Sequence, residues 1–226
     1  MVEAQAVDFA DEQRFESLMS RARAVVAALV ATGIADVVAV IFDWNRYELL
    51  GRIESGAGVS LSEANASDHR QAVMGLVQVA LFLVTAVLFI RWFRRAYLNV
   101  DALGGERRFG AGWAIGAWFV PVVNLWRPKQ IANDLWRTSE HGDLRLERGS
   151  PLLAWWWGTF LVSSWLDGRA ALASGSTAHE LRSSAVVYLA SDALDVVAVV
   201  LAVAVVLTLT RRQEERRRQL DAGRSQ

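Results

Sequence analysis

The sequence predicts an all-α integral membrane protein, a helical bundle with four transmembrane helices plus a Pro-broken re-entrant or interfacial segment. Three observations predict it. Hydrophobic residues make up 53% of the 226-residue chain. They are gathered into runs nearly free of charge, and some of these runs reach the roughly 20 residues that a bilayer-spanning helix needs. Basic residues cluster beside the ends of those runs, the pattern of loops kept in the cytoplasm.

Residues 1–20 are acidic and precede any apolar run. A secretory signal opens positive and closes on small residues, so this segment is expected to stay cytoplasmic, with the first helix directing insertion. The first span covers about 24–43, and its apolar run holds one charge, Asp36. The second, about 71–92, follows a long loop of mixed charge and is uncharged up to Ile90. A third apolar segment, 111–126, is short and carries Pro121, which removes a helix hydrogen bond and clashes with the preceding turn. Residues 129–139 follow as an amphipathic helix with Ile131, Ala132, Leu135 and Trp136 at helical spacing. The remaining spans are about 151–167 and 185–210, the latter with Asp192 and Asp195, before a basic tail at 211–226.

The loops orient these segments. Arg14, Arg21 and Arg23 precede the first span. Arg91, Arg94, Arg95, Arg107 and Arg108 lie before the third segment, and Arg127, Lys129, Arg137, Arg145 and Arg148 after it. The loop after the fourth segment has only Arg169 and Arg182. The N-terminus, both flanks of 111–126 and the tail therefore read as cytoplasmic. If 111–126 crossed, one flank and the tail would be displaced outward, so it is expected to enter and leave on one side. Its break is expected to be packed against other helices, because free carbonyls are not tolerated against lipid. The arginines of "RWFRRAY" and of the tail need no role beyond setting this topology.

Several function classes are excluded. Lys and Arg balance Asp and Glu at 24 each, so no net field favours nucleic acid. There is no Cys, hence no disulfide, thiolate metal site or thiol nucleophile. His69, His141 and His179 are scattered, and "GERRFG" lacks the Lys-Ser/Thr of a phosphate loop. No catalytic residue, cofactor or metal is expected. The expected partners are the lipid bilayer and a membrane or cytoplasmic protein.

The acids inside the spans are the sharpest local signal, because ionisable groups at membrane depth are costly. At 1.5 Å rise per residue, Asp36 lies about 18 Å from the inner end of its helix and Asp195 about 13–15 Å from the outer end of its own. Gln71, Gln78 and Thr85 recur every seven residues as a polar stripe. Asp36, Gln78, Asp192 and Asp195 thus form a candidate intramembrane cluster, either a proton or cation site or a set of interhelical hydrogen bonds. The Gly-Asp context of aspartyl intramembrane proteases is absent. Gly112 and Gly116 have the spacing that lets helices approach closely. Of the ten Trp, Trp44, Trp92 and Trp165 close helix ends and are expected as interfacial anchors.

The run from Phe89 to Ser139 carries Trp92, Arg94–Arg95–Ala96, Asn99, Leu103–Gly104, Gly112–Trp113–Ala114, Trp118–Phe119 and Pro121. It closes on Asn124–Leu125–Trp126–Arg127–Pro128 and Leu135–Trp136. It resembles the signature of the domain of unknown function 4328 family, bacterial multi-pass membrane proteins, with Lys129 where many relatives carry an aromatic residue. The resemblance implies a helical membrane domain and brings no activity or catalytic residues. Trp118, Pro121, Asn124, Trp126, Arg127 and Pro128 form a candidate cytoplasmic-face motif, with Arg127 expected to cap carbonyls freed near the break and Asn124 beside it. The expectation is a non-enzymatic scaffold or sensor of the inner (plasma) membrane with both termini cytoplasmic. The alternative is a small transporter or channel component using the acidic site.

Overall fold

A computed structural model of the chain describes residues 14–139, 150–171 and 177–225. Residues 1–13 of the acidic leader, the stretch 140–149 with His141, Arg145 and Arg148, residues 172–176 and residue 226 lie outside the described residues. The described residues form helices and turns, without strands. In order these are α1 (Met19–Glu54), α2 (Leu61–Ala102), α3 (Trp113–Gly116), a 3-10 turn (Val123–Leu125), α4 (Arg127–Ser139), α5 (Pro151–Ala171) and α6 (Ala178–Gly223).

α1, α2 and α6 are each long and apolar enough to cross a membrane. Their apolar stretches carry exposed Ile34, Ile41, Leu76, Phe82, Val87 and Val200, a surface that water would reject and lipid accepts. α5, which holds the predicted span 151–167, is a 21-residue helix outside that set, because Trp and Ser dilute its hydropathy. The helices outrun the predicted spans. The stretch 44–70, read from the sequence as a long loop, is helical on both sides of a connection confined to residues 55–60. Residues 211–223, read as a tail, continue α6. The segment 111–126 contains only the four-residue α3 and the 3-10 turn, and α4 begins at Arg127, two residues before the predicted 129.

Helix ends follow local chemistry. α1 stops in a Schellman motif, with Gly56 at φ 75° while Ala57 N–H reaches Arg52 C=O at 2.9 Å. α2 stops the same way at Gly104, φ 80°, with Gly105 N–H donating to Val100 C=O at 3.0 Å. α6 opens with a capping box in which Thr177 and Glu180 each accept the other's backbone N–H at 3.2 Å.

The chain divides into two compact units, unit 1 (Met1–Ala27, Ala86–Trp155, Val203–Gln226) and unit 2 (Ala28–Thr85, Trp156–Ala202). In unit 1 the interior is filled by Leu18, Val25, Trp92, Phe93, Ile131 and Leu209, all at most 1% exposed. Trp92, expected as an interfacial anchor, is fully buried and donates to Thr210 Oγ1 at 3.0 Å, because an enclosed indole N–H needs an acceptor. Trp44 and Trp165 stay exposed. A Cβ on Gly112 or Gly116 would meet nothing within 4 Å, so the expected close helix approach does not occur there.

Asn99 organises unit 1. Its Oδ1 accepts from Glu16 N–H (3.1 Å) and Arg95 Nε (3.2 Å). Its Nδ2 donates to Glu16 C=O (2.9 Å) and Gln213 Oε1 (3.3 Å), and Gln213 Nε2 in turn reaches Ala96 C=O at 3.0 Å. One buried amide therefore fastens the segment before α1 to α2 and α6. Glu214 then accepts Leu18 N–H at 2.9 Å, satisfying a donor at the start of α1. In unit 2, Ala35, Ala39 and Met74 form a small core flanked by Val38, Phe42 and Leu81. One end of unit 2 is clasped by Glu54, which meets His179 at 2.9 Å and Arg182 at 3.0 Å, contacts that hold its carboxyl below the usual range.

Two predictions follow from unit 1. Asn99→Ala strands the Glu16 peptide and the Gln213 amide, and is expected to cost about 2–4 kcal/mol. Thermal unfolding in detergent should show a Tm lowered by several degrees, and an unchanged Tm would refute the clamp. Asp134 on α4 is 6% exposed, its Oδ2 lacks a hydrogen-bond partner, and Arg108 and Arg137 approach only to 3.8 and 3.9 Å. Burial raises its carboxyl pKa above the ordinary range, with Arg108 and Arg137 opposing. The folded state thus holds this proton more tightly than the unfolded chain. Its stabilising contribution is complete below the unfolded pKa and is lost as pH rises through the folded one. Asp134→Asn is therefore expected to gain Tm relative to the parent between pH 4 and pH 7, and a constant difference would contradict this.

Candidate functional site

The polar stripe on α2 becomes a ladder in unit 2. Gln71 Nε2 donates to Asp43 Oδ1 at 2.8 Å, and Gln78 Nε2 to Asp36 Oδ1 at 3.2 Å. Thr85 and Thr32 hydroxyls meet at 3.1 Å. As the number rises along α2 it falls along α1, so the two helices run antiparallel through these rungs. The first two rungs match residue for residue. Positions 43 and 36 are seven apart, as are 71 and 78, about 10.5 Å on either helix.

The ladder gains a third helix through Gln78. Its Nε2 also donates to Asp192 Oδ1 at 2.9 Å, so the two amide protons serve one carboxyl from α1 and one from α6. The Asp43 carboxyl lies close to Asp192 as well. Asp195, one turn along α6, lies close to Ser163 of α5, whose hydroxyl donates to Phe160 C=O at 3.2 Å. Ser191 of α6, 1% exposed, donates to Asp167 at the end of α5. Of the four residues predicted from the sequence, the structure joins Asp36, Gln78 and Asp192 directly and sets Asp195 close to Ser163 instead.

The cluster is acidic without compensation. Neither a Lys nor an Arg occurs in 24–45, 71–90, 151–168 or 183–210. Asp36 and Asp43 are 4% and 3% exposed, and each has an Oδ2 with no hydrogen-bond partner. Among the described residues no group of three His, Cys, Asp or Glu has the arrangement to hold a metal ion. The geometry gathers carboxyls from α1 and α6 around one amide donor on α2. Asp43, Thr32, Asp167 and Ser191 were not in the predicted cluster. Asp43 was within reach, since it lies seven residues from Asp36 and so on the same helix face. Asp167 and Ser191 had no periodic signal.

The predicted cytoplasmic-face motif lies in unit 1, and its six residues do not converge. Trp118 packs edge-on against Phe89 and Phe93, with ring centroids 5.5 and 5.7 Å away. Pro128 is buried in the first turn of α4, while Pro121 and Trp126 are exposed. Asn124 is half-buried, with an Oδ1 that has no hydrogen-bond partner. Arg127 does not cap carbonyls. Its guanidinium lies over the Phe109 ring at 4.0 Å and the Trp113 ring at 5.1 Å, because two aromatic faces offer a half-buried cation a flat, weakly hydrated surface. Phe109 is set in place by Tyr97, whose hydroxyl accepts Phe109 N–H at 2.9 Å and donates to Phe109 C=O at 3.1 Å. Sequence reasoning did not connect Phe109 to Arg127, which are 18 positions apart with no shared periodicity.

Comparison with known proteins agrees with the resemblance carried by residues 89–139. The family model described as Domain of unknown function (DUF4328) matches residues 55–211. That range takes in the α2 and α6 rungs of the ladder, the Tyr97–Asn99 clamps and the Arg127 stack. No curated protein and no solved structure matches the chain. The match covers more than half of the chain, which therefore belongs to the DUF4328 family.

Proposed function

We propose that this protein is a non-enzymatic membrane sensor module whose carboxyl cluster in unit 2 takes up and releases protons. The observation that carries this reading is the Gln78 amide bridging Asp36 and Asp192, in apolar stretches that hold neither Lys nor Arg. Two carboxyls share this one amide, and the enclosed Oδ2 of Asp36 has no hydrogen-bond partner, so a proton bound in the cluster would gain a place there. A change in proton occupancy would alter the hydrogen bonds between α1, α2 and α6, and helices with two arrangements are what a sensor requires.

The alternative, a small transporter or channel component, uses the same cluster. Against it, the sequence shows no internal repeat, and four spans are few for alternating access. The positions of the arginines support a bacterial inner (plasma) membrane protein with four crossings, both termini cytoplasmic and 111–126 entering and leaving on one side.

The reading is tested in sealed vesicles containing the full chain. Infrared difference spectra should show a protonated-carboxyl band that titrates with pH and weakens by about half or more in Asp192→Asn or Asp36→Asn. Proton flux should remain at the level of empty vesicles. A band that does not titrate would overturn proton sensing. Flux abolished by Asp192→Asn in a folded protein would replace the sensor with a transporter.

A further inference from the structure

We propose that Arg127 binds the headgroup phosphate of an anionic phospholipid, with Lys129 in the same helical turn adding positive charge nearby, and that the acyl region lies against Phe119, Val122 and Leu125. The inference is independent of the carboxyl cluster. It starts from how Arg127 is held. With Phe109 at 4.0 Å and Trp113 at 5.1 Å beside it, the guanidinium is committed through its faces. Its N–H donors lie in the plane of the group, so stacking leaves that edge free to bind. Its Nε has no hydrogen-bond partner, and among the described residues no carboxylate pairs with Arg127 or Lys129. A cation rigidly positioned, partly desolvated and without a counter-ion is set for an anion, and the guanidinium fork matches phosphate oxygens.

The neighbouring surface identifies which anion. Immediately before Arg127, Phe119 is 70% exposed, Val122 64% and Leu125 53%, followed by Trp126 at 43%. These residues lie in a run of turns anchored from behind by Trp118 on Phe89 and Phe93, so their exposure belongs to a fixed surface. Exposed phenylalanine, valine and leucine leading along the chain into an indole and two cations match the layered chemistry of a leaflet edge, apolar within and phosphate outside. A soluble phosphate would use the cations and leave the apolar residues in water. An anionic phospholipid uses both.

The test is retention of lipid by the detergent-solubilised full chain, read by native mass spectrometry with phosphatidylglycerol, phosphatidylcholine or inorganic phosphate. Phosphatidylglycerol is expected to be held in preference to phosphatidylcholine. Arg127→Ala is expected to lower its retention about tenfold, the scale of one hydrogen bond to a charged group. Because Arg127 also packs between rings, two surface variants accompany it: Lys129→Gln and the triple Phe119→Ser, Val122→Ser, Leu125→Ser. Both are expected to lose phosphatidylglycerol at unchanged Tm. Equal retention of the two lipids, parental retention by either surface variant in folded form, or displacement of the lipid by inorganic phosphate would each overturn the proposal.

Discussion

A polar side chain enclosed among apolar helices has no water to turn to, and its partners must come from other helices. In unit 2 this constraint centres on one amide. Gln78 donates to Asp36 on α1 and to Asp192 on α6, so a single side chain on α2 fixes the register of three helices. The dispersion contacts of Ala35, Ala39 and Met74 would tolerate a small rotation of any one helix. A buried carboxyl that lost its donor would not, because an unsatisfied acceptor in a low dielectric costs more than a few methylene contacts return. Chemistry and architecture are therefore the same feature here. The bonds that set the helices in place are the bonds that a proton entering the cluster would rearrange.

Unit 1 meets the same constraint with neutral side chains that grip peptide groups. Asn99 holds both the N–H and the C=O of Glu16, and two residues earlier Tyr97 holds both backbone groups of Phe109. One turn of α2 thus fastens a segment that precedes α1 and a segment that follows α2. These residues belong to the run that resembles the family signature, and their density there has a packing explanation. Trp92, Arg95, Asn99 and Trp118 each complete a buried contact. Arg127 differs from them, because its contacts use only its ring-facing surfaces.

Much of the architecture was legible in local composition. The long apolar runs became α1, α2 and α6, and the proline-bearing segment 111–126 formed turns in place of a continuous helix. The stripe at 71, 78 and 85 was visible from its period alone. Other features misled because their cause is non-local. Trp92 sits at a helix end in the sequence, where indoles usually face the interface, yet Thr210 from α6 draws it inside. The 44–70 stretch looked like a loop because its charges break the apolar run. Arg46 pairs with Asp68 at 2.6 Å and Arg52 with Glu63, so the same charges hold two helices together.

By itself, the sequence determined that the chain is helical, that three of its helices suit a bilayer, and that α1, α2 and α6 each bring polar groups into it. Those outcomes depend on hydrophobicity and periodicity, which are properties of neighbouring residues. Only the tertiary structure decided which polar groups meet. Asp43 takes Gln71, Asp36 and Asp192 share Gln78, and Arg127 goes to Phe109 and Trp113. The depth of a residue in its helix follows from counting, whereas the direction it faces follows from the rotation of each helix against the others. That rotation is set by packing between residues far apart in the chain.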